Sequence, residues 1–374
     1  MHTEFPQSDG IIYLNHAAVS PWPLRTARAV QQFAEENLRQ GARAYPQWLH
    51  TERALRAQLQ RLVNAPSIDD IALLKNTSEA LSVIAHGLPW QAGDNIVLCT
   101  QEFPSNRIVW ESLREFGVEC RIVPIDNKTE DPEAALLSAV DAQTRLLAVS
   151  SVQYASGLRM DLQRLGDFCH DQGVLFCVDA IQSLGALPFD AQAVHADFVV
   201  ADGHKWLLGP EGLAVFYCRA ELRPQLRLHQ FGWHMVEHHD NFDHLDWAPA
   251  DSARRFECGS PNMLGCHALN ASLSLIEEIG IDFIATNVVK NSRLLIDIIS
   301  NYNLLEVLTP TLPDRYAGIV SFRSRQVEAR RIYQALMAQG VICAQRGEGI
   351  RFSAHFYTEA AQLERAVALA AAVD

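Results

Sequence analysis

Short apolar segments alternate with longer segments of helical spacing through the first part of the chain. The apolar segments are continuous rather than alternating, which is typical of strands buried on both faces of a sheet. They cover residues 96–99, 121–124, 146–149, 174–178, 197–200 and 213–217, and helical spacing follows at 105–116, 132–141 and 161–172. This order predicts an α/β fold with a mostly parallel sheet, covered by helices, in a large domain.

The alternation ends near residue 222, where a segment rich in His, Asp, Pro and Trp begins. We interpret residues 222–255 as a crossover loop. A helical stretch at about 264–300 follows, and then a smaller portion with the strand-like sequences AGIVSFRS and GIRFSAHFYT. The predicted domains are a large α/β domain over 16–275 and a small α+β domain that combines 1–15 with 276–374.

Composition and charge narrow the range of partners. The 374 residues carry a formal net charge of -13 at pH 7, which disfavours a nucleic-acid partner because nucleic acids are bound through their phosphates. The first residues, MHTEFPQSDG, lack the basic and apolar regions of a secretion signal. No uncharged apolar stretch approaches the ~18 residues of a membrane span. We therefore expect no membrane partner. The eight cysteines are scattered without a CxxC pair, which is typical of reduced thiols and predicts a cytoplasmic protein.

Two charged residues follow neighbouring apolar segments, at the strand ends where sheets of this kind bind ligands. Asp179 ends one segment, and Lys205 comes just after the next. Such a pair suits a cofactor that has a basic ring nitrogen at one end and an aldehyde at the other, as pyridoxal phosphate has. Taken alone, Asp179 also fits a helix N-cap.

The phosphate of such a cofactor needs hydrogen-bond donors. Thr77 and Ser78, in the sequence KNTSEA, place two hydroxyls at the start of a helix predicted over 79–87. The free N–H groups of a helix N-terminus bind a dianion through hydrogen bonds and the helix dipole. A plain capping sequence that includes Glu79 explains the same residues, so both interpretations stay open.

The sequence VDAIQS, followed by DFVVADGHKWLLGPEGLAVFY, resembles a known family. In the class V aminotransferase fold of pyridoxal-phosphate enzymes, Asp-x-x-Gln precedes Ser-Gly-His-Lys and a Gly-Pro turn. The resemblance runs from residue 13 to residue 358, and it is strongest to the branch of cysteine desulfurases and selenocysteine lyases. It implies the fold type I architecture, pyridoxal 5'-phosphate as cofactor, and a homodimer with shared active sites.

The resemblance also implies a role for each matching residue. Lys205 is the catalytic residue that forms the Schiff base, and Asp179 pairs with the pyridine nitrogen. The other implied cofactor ligands are Gln182 at the ring hydroxyl, His204, Thr77 and Ser78 at the phosphate, and Ser260 at the phosphate of the neighbouring subunit. Arg351 grips the substrate α-carboxylate, which suits a bidentate guanidinium, although a surface strand arginine would look the same. Asn15 and His16 resemble the amino-terminal segment that closes over the substrate.

Several residues depart from the family pattern. Phe103 replaces a histidine that stacks on the ring; it can stack but cannot exchange protons, which makes Lys205 the main general acid and base. Tyr154 replaces an asparagine and either binds the ring hydroxyl or lines the pocket. Asp202 replaces the usual serine beside the phosphate, and the sequence does not explain it. The loop that carries the persulfide-forming cysteine of desulfurases is too short here, so we interpret Cys343 as a buried apolar residue.

A competing pattern is HMVEH at 234–238, which matches an inverted zinc-protease motif. That motif requires both histidines on one face of a regular helix, and the flanking residues QFGW and HDNFDH are poor helix formers. No metal site is therefore expected, and the segment is interpreted as a polar loop over the mouth of the active site.

Taken together, these residues predict an enzyme that acts on a small amino acid through a substrate Schiff base and removal of the Cα proton. The leading hypothesis is a cysteine desulfurase-like carbon–sulfur lyase, which expels a substituent from Cβ. A class V aminotransferase is the alternative, and an epimerase or a kynureninase-like hydrolase stays open. A non-catalytic α/β protein that kept only the fold is the hypothesis from a different class.

Overall fold

The computed structural model describes residues 3–126, 129–243 and 245–373. Its helices are α1 (Leu24–Gln40), α2 (Tyr45–Val63), α3 (Thr77–Gly87), α4 (Ser105–Glu111), α5 (Pro132–Ser138), α6 (Leu162–Gln172), α7 (Met263–Ile279), α8 (Ile281–Ser300), α9 (Ala329–Ala338) and α10 (Ala360–Ala371). Its strands are β1 (Ile12–Tyr13), β2 (Ile71–Leu74), β3 (Asn95–Cys99), β4 (Glu119–Val123), β5 (Thr144–Ser150), β6 (Leu175–Asp179), β7 (Phe198–Asp202), β8 (Ala214–Cys218), β9 (Leu305–Val307), β10 (Ile319–Ser324), β11 (Val341–Ile342), β12 (Ala344–Arg346) and β13 (Gly349–Ser353).

A seven-stranded sheet forms the centre of the described structure, in the order β2-β8-β7-β6-β5-β3-β4. Neighbouring strands from β7 to β4 are parallel, and β8 is antiparallel to both of its neighbours. All six apolar segments predicted in the first part of the chain are strands of this sheet, shifted by no more than a residue or two. The predicted α/β fold with a mostly parallel sheet is therefore confirmed.

Both faces of this sheet are covered, which explains why its strands have continuous apolar sequences. Alternate side chains of β5 enter different clusters: Leu147 and Val149 pack on one face, and Leu146 and Ala148 pack on the other. All four are 0% exposed. Fully burying one leucine or valine side chain stabilises a fold by about 1.5–3 kcal/mol relative to its exposure, so the two clusters fix the register of the sheet.

A smaller antiparallel sheet, in the order β12-β13-β10-β9, lies in the C-terminal part. The amino-terminal strand β1 pairs in parallel with β11, and Ile12 and Leu14 belong to the same hydrophobic cluster as Phe322 and Phe352. The first residues thus pack with the last part of the chain. The proposed domain boundaries remain a prediction.

The helical stretch predicted at 264–300 is two helices, α7 and α8, rather than one. They separate at Gly280, whose φ of 86° lies in the left-handed region that glycine tolerates. Among the described helices, none has both the length and the apolar content that crossing a bilayer requires.

The segment predicted as a crossover loop contains short 3₁₀ turns, Ala220–Gln225, Trp233–Met235 and Ala253–Phe256, and one isolated bridge between Val236 and Pro249. HMVEH therefore does not form the regular helix that the zinc-protease motif requires. His234 is buried near Glu257, and both oxygens of that carboxylate accept hydrogen bonds of 2.6 Å from Arg56. None of the described residues of this segment lines the cavity that holds the predicted site, so the predicted loop over its mouth is not seen there.

The chain order places a crevice at one edge of the large sheet. From β3 the chain moves outward to β4, and β5 then returns to the opposite side of β3. At such a reversal, the connections that follow adjacent strands leave in opposite directions and open a space for ligand. The residues that follow β3, β5, β6 and β7 meet at this edge.

Candidate active site

A cavity of about 340 Å³ opens at this edge of the sheet. The predicted site residues in its lining are Thr77, Ser78, Phe103, Tyr154, Asp179, Gln182, Asp202, His204, Lys205 and Arg351. Lining residues that the sequence did not indicate include Ala17, Asn76, Ser105, Glu211 and Arg346. The structure therefore brings most of the predicted residues into one space.

Lys205 and Asp179 are buried, oppositely charged groups of this cavity, at 8% and 2% exposure. Burial lowers the pKa of the Lys205 ammonium, and the charge of Asp179 opposes this effect. Burial also raises the pKa of the Asp179 carboxyl, opposed by its hydrogen bond with Ile181 and by Lys205. Asp179 accepts that bond from the Ile181 N–H at 3.1 Å within a turn, so it does not cap a regular helix. A lower pKa leaves a larger fraction of the amine unprotonated near neutral pH, and the unprotonated form is the one that acts as nucleophile and general base.

Helix α3 begins two residues before its predicted start, and its first turn faces the cavity. Asn76 is the N-cap, and its side chain accepts a hydrogen bond of 2.9 Å from the N–H of Glu79. The Ser78 hydroxyl donates to Ser105 at 2.8 Å, whereas the buried hydroxyl of Thr77 has no partner. Leaving a buried hydroxyl unsatisfied costs about 1–3 kcal/mol, and an anion at this helix N-terminus would supply the missing bond.

His204 and Asp202 form a second polar pair in the lining. Nδ1 of His204 is 3.0 Å from Oδ1 of Asp202, although the two atoms are not aligned as a hydrogen bond. The same oxygen accepts a hydrogen bond of 3.1 Å from the Gly203 N–H. A carboxylate beside Nδ1 favours the imidazole form that carries a proton there, which leaves Nε2 for another partner. The structure thus places the Asp202 carboxylate against the His204 ring.

Arg351 is buried on β13, at 1% exposure, so it is not a surface strand arginine. Its Nη1 donates a hydrogen bond of 2.7 Å to the carbonyl of Tyr154, whereas Nε and Nη2 have no partner. Burial and the nearby charge of Arg346 lower the pKa of Arg351 to about 9. A buried guanidinium with two unpaired nitrogens is an incomplete ion pair, which a carboxylate completes through two parallel hydrogen bonds.

Two aromatic rings form one wall of the cavity. The Phe103 and Tyr154 rings lie 5.1 Å apart at 82°, and Nζ of Lys205 is 5.6 Å from the Phe103 centroid. Sequence reasoning missed the residue that holds this wall, Glu102, which is 5% exposed. Its carboxylate accepts hydrogen bonds from the Ser150 N–H at 2.9 Å and from the Gln153 amide at 2.7 Å. The only sequence signal was a charged residue soon after an apolar strand.

Gln182 has a fixed orientation in the lining. Its Oε1 accepts a hydrogen bond of 2.9 Å from the Trp206 indole, which identifies the other end of the amide as the donor. Nε2 donates to the carbonyl of Ala17 at 3.1 Å. The amide nitrogen has a second N–H, which can serve the donor role predicted for Gln182.

Three predicted residues are absent from the lining. Both ring nitrogens of His16 have partners: Nδ1 is 2.8 Å from the Ser353 carbonyl and Nε2 is 2.7 Å from the Tyr357 hydroxyl. Burial lowers the pKa of His16 to about 4, so its ring is neutral at pH 7. Asn15 forms an isolated bridge with Ser353, and Ser260 is exposed. The ligand roles of Asn15, His16 and Ser260 stay predictions.

Comparison with known proteins identifies the family. The family described as aminotransferase class V matches residues 12–366. The chain belongs to this family. Its members use pyridoxal phosphate, which confirms the predicted enzyme class and cofactor. A probable cysteine desulfurase from Methanothermobacter thermautotrophicus is 33% identical over 340 residues, 90% of this chain and 84% of that protein, which confirms the predicted branch of the family.

Two solved structures of C-DES are similar in fold to this class V chain. A C-DES mutant with glycine covalently linked to the PLP cofactor has a TM-score of 0.93 at 22% identity, with 100% of both chains covered. The complex of the cystine C–S lyase C-DES with its reaction product cysteine persulfide has a TM-score of 0.92 at 23% identity, with 99% of both chains covered. Both structures support the fold type I architecture.

The residues of the cavity fit pyridoxal phosphate. The unpartnered hydroxyl of Thr77, together with Ser78 and His204, would hold the phosphate. Lys205 would hold the aldehyde end, and Asp179 the ring nitrogen. When bound, the cofactor supplies an electron sink for the electron pair that remains after a proton leaves Cα.

The Asp179→Asn variant is expected to have a kcat lower by about 10²-fold or more, because asparagine keeps the shape of the side chain but not the charge that pairs with a protonated ring nitrogen. Steady-state turnover measures the loss, and the absorbance spectrum of the cofactor-loaded protein shows whether binding persists. Asp171→Asn, on the exposed surface of α6, is the matched control. Equal turnover of the two variants would contradict the role of Asp179.

Proposed function

We propose that this protein is a pyridoxal-phosphate-dependent carbon–sulfur lyase that acts on cysteine or its S-substituted derivatives. In the overall reaction, the amino acid and one water give pyruvate, ammonium and the sulfur product, which is hydrogen sulfide from cysteine, a thiol from an S-substituted cysteine and a persulfide from cystine. The bond between Cβ and sulfur breaks, and its electron pair leaves with the sulfur, which gains a proton. No external oxidant or reductant is needed.

The observation that carries this proposal is the placement of Lys205 and Arg351 in one cavity. The unpaired nitrogens of Arg351 fix the substrate α-carboxylate, and the buried Lys205 amine takes the proton from Cα. The same amine, now protonated, returns a proton to the leaving sulfur. Phe103 lines the same cavity, and it has no group that could exchange a proton.

The fate of the sulfur distinguishes this proposal from a desulfurase that stores sulfur on a cysteine. Among the described residues, no cysteine belongs to the cavity lining. Cys343 is 3% exposed, and burial raises the pKa of its thiol to about 12, so it is protonated and unreactive at neutral pH. We infer that sulfur leaves as a small molecule. The likeness to the cystine C–S lyase C-DES supports this inference.

A product assay on the cofactor-loaded protein tests the proposal. With L-cysteine or L-cystine and no added keto acid, we expect pyruvate and ammonium in equal amounts, with the sulfur in the low-molecular-mass fraction. Cys343→Ala is expected to retain the full rate, because its thiol is buried away from the lining. Alanine as the product, with sulfur retained on Cys343, would instead show a desulfurase. A requirement for a keto acid would show an aminotransferase.

We also propose a homodimer with shared active sites in a reducing, cytoplasmic environment. Ser260 is exposed and precedes α7, which suits a residue that reaches the phosphate of a neighbouring subunit. The cysteines are all free thiols, which supports a reducing compartment. Sedimentation analysis of the purified protein tests the dimer, and a stable, fully active monomer would refute it.

A further inference from the structure

Arg346 is a second guanidinium in the cavity lining, and the proposed reaction gives it no role. It is half-buried, and its Nη1 donates a hydrogen bond of 2.8 Å to the carbonyl of Gln345. No carboxylate among the described residues lies within ion-pair distance of it. A half-buried cation without a counter-ion in a ligand cavity requires an explanation.

The strand register places Arg346 beside Arg351. In the antiparallel pair β12–β13, Ala344 lies opposite Arg351 and Arg346 lies opposite Gly349. Residues two apart on a strand share a face, so Arg346 and Arg351 lie on the same face as diagonal neighbours, about 7–8 Å apart. Gly349, directly opposite Arg346, has no side chain, and the Leu308 side chain and the Phe322 carbonyl lie where one would stand. The charge of Arg346 helps to lower the pKa of Arg351, which agrees with this proximity.

One guanidinium is enough to bind one carboxylate. The unpaired Nε and Nη2 of Arg351 match the two oxygens of a single carboxylate. The acidic residues of the lining are Asp179, Asp202 and Glu211; the first two lie next to Lys205 and His204, and Glu211 is exposed. Once the substrate α-carboxylate is bound to Arg351, the charge of Arg346 remains free.

We propose that Arg346 binds a second carboxylate, carried by the sulfur substituent of the substrate. This inference rests on the proposed lyase function and narrows its substrate class to S-substituted cysteines with an acidic substituent, of which the disulfide cystine is one. Arg346 thereby selects the leaving group, whereas Arg351 recognises the α-carboxylate that all amino acids share.

Two probes of nearly equal shape isolate this charge. S-carboxymethyl-L-cysteine carries the second carboxylate, and S-carbamoylmethyl-L-cysteine replaces it with a neutral amide. Dissociation constants are measured from the absorbance change of the cofactor-loaded protein on addition of each probe, and pyruvate release is followed separately. We expect the protein to bind the carboxylate about tenfold more tightly, and Arg346→Gln to abolish that preference.

Two further variants complete the design. Arg325→Gln removes a positive charge from the surface of the same small sheet region, where Arg325 is paired with Glu306, and it should keep the preference. Arg346→Lys keeps the charge without the planar fork and should retain a smaller preference. The cofactor absorbance of each variant shows that its site has formed.

Three outcomes would overturn the role of Arg346: no preference in the unmodified protein, an unchanged preference in Arg346→Gln, or an equal loss of affinity for both probes. The last would place Arg346 on the α-carboxylate together with Arg351. A preference that depends on Arg346, without pyruvate from any cysteine derivative, would support this binding role and refute only the lyase function.

Discussion

Lys205→Ala is expected to lower kcat by about 10⁴-fold or more, the largest loss of any single substitution in this protein. Lys205 would have two tasks, to hold the aldehyde end of the cofactor and to move a proton between Cα and the leaving sulfur. Among the described residues of the lining, no other side chain offers a primary amine. Both tasks therefore fail together when the side chain is removed.

The surroundings of Lys205 explain why no neighbour replaces it. Its ammonium is buried against the Phe103 ring, with Nζ 5.6 Å from the centroid, and burial lowers its pKa. Asp202, the other acidic residue close by, lies against His204 and the Gly203 N–H. Phe103 occupies the position from which a histidine could otherwise carry protons. Among the described residues of the lining, none of these neighbours can therefore take over the proton transfer of Lys205.

Turnover of cysteine derivatives measures the effect, and Lys290→Ala, on the exposed face of α8, is the matched control. Small primary amines added to Lys205→Ala should restore part of the proton transfer, because the cavity left by the side chain can admit them. Borohydride should attach the cofactor to Lys205 in the unmodified protein but not in the variant. A Lys205→Ala protein that retains full turnover would refute the assignment.

Local patterns were sufficient to predict most of the large sheet. Each parallel strand is a continuous apolar segment because both of its faces are covered, and this property is visible without knowledge of its neighbours. Strand β2, Ile71–Leu74, was missed. Its four apolar residues cannot be distinguished from a short buried helical segment by periodicity, and it becomes a strand through antiparallel pairing with β8.

The candidate site was predictable where its residues follow a strand in a recognisable motif, as Asp179 and Lys205 do. Glu102 and Arg346 were missed because their roles depend on distant segments. The donors to Glu102 include Ser150, the last residue of β5, and Gln153 in the connection that follows, both far along the chain. Arg346 acquires its position from the register of a hairpin in which Gly349 lies opposite it.

His16 is a residue that the sequence pointed to but whose contacts it could not predict. The family resemblance predicts that its segment closes over the substrate, and in the structure the partners of its ring are Ser353 and Tyr357 near the other end of the chain. Their bonds hold the adjoining backbone, and Ala17 from that segment lines the cavity and accepts a hydrogen bond from Gln182. The sequence identified the segment, and long-range packing decides which of its residues faces the site.

Arg351→Gln is expected to weaken the binding of amino-acid substrates by about 10²-fold or more, because it removes a bidentate, charge-assisted contact in a buried site. Glutamine can still donate one hydrogen bond, but it has no charge to balance the α-carboxylate. The substrate affinity of Arg351→Lys should lie between those of the unmodified protein and Arg351→Gln, since a lysine keeps the charge without the planar fork. The measured quantities are KM and the dissociation constant from the absorbance change.

Cysteamine, which is cysteine without its carboxylate, separates lost recognition from general damage to the site. The unmodified protein should bind cysteine far more tightly than cysteamine, and Arg351→Gln should bind the two with similar affinity, as a double-mutant cycle requires of interacting groups. Since Nη1 of Arg351 also donates to the Tyr154 carbonyl, some loss of thermal stability is expected in the variant. An undiminished preference for cysteine in Arg351→Gln would mean that another residue, with Arg346 the nearest cation on the same face of the hairpin, binds the α-carboxylate.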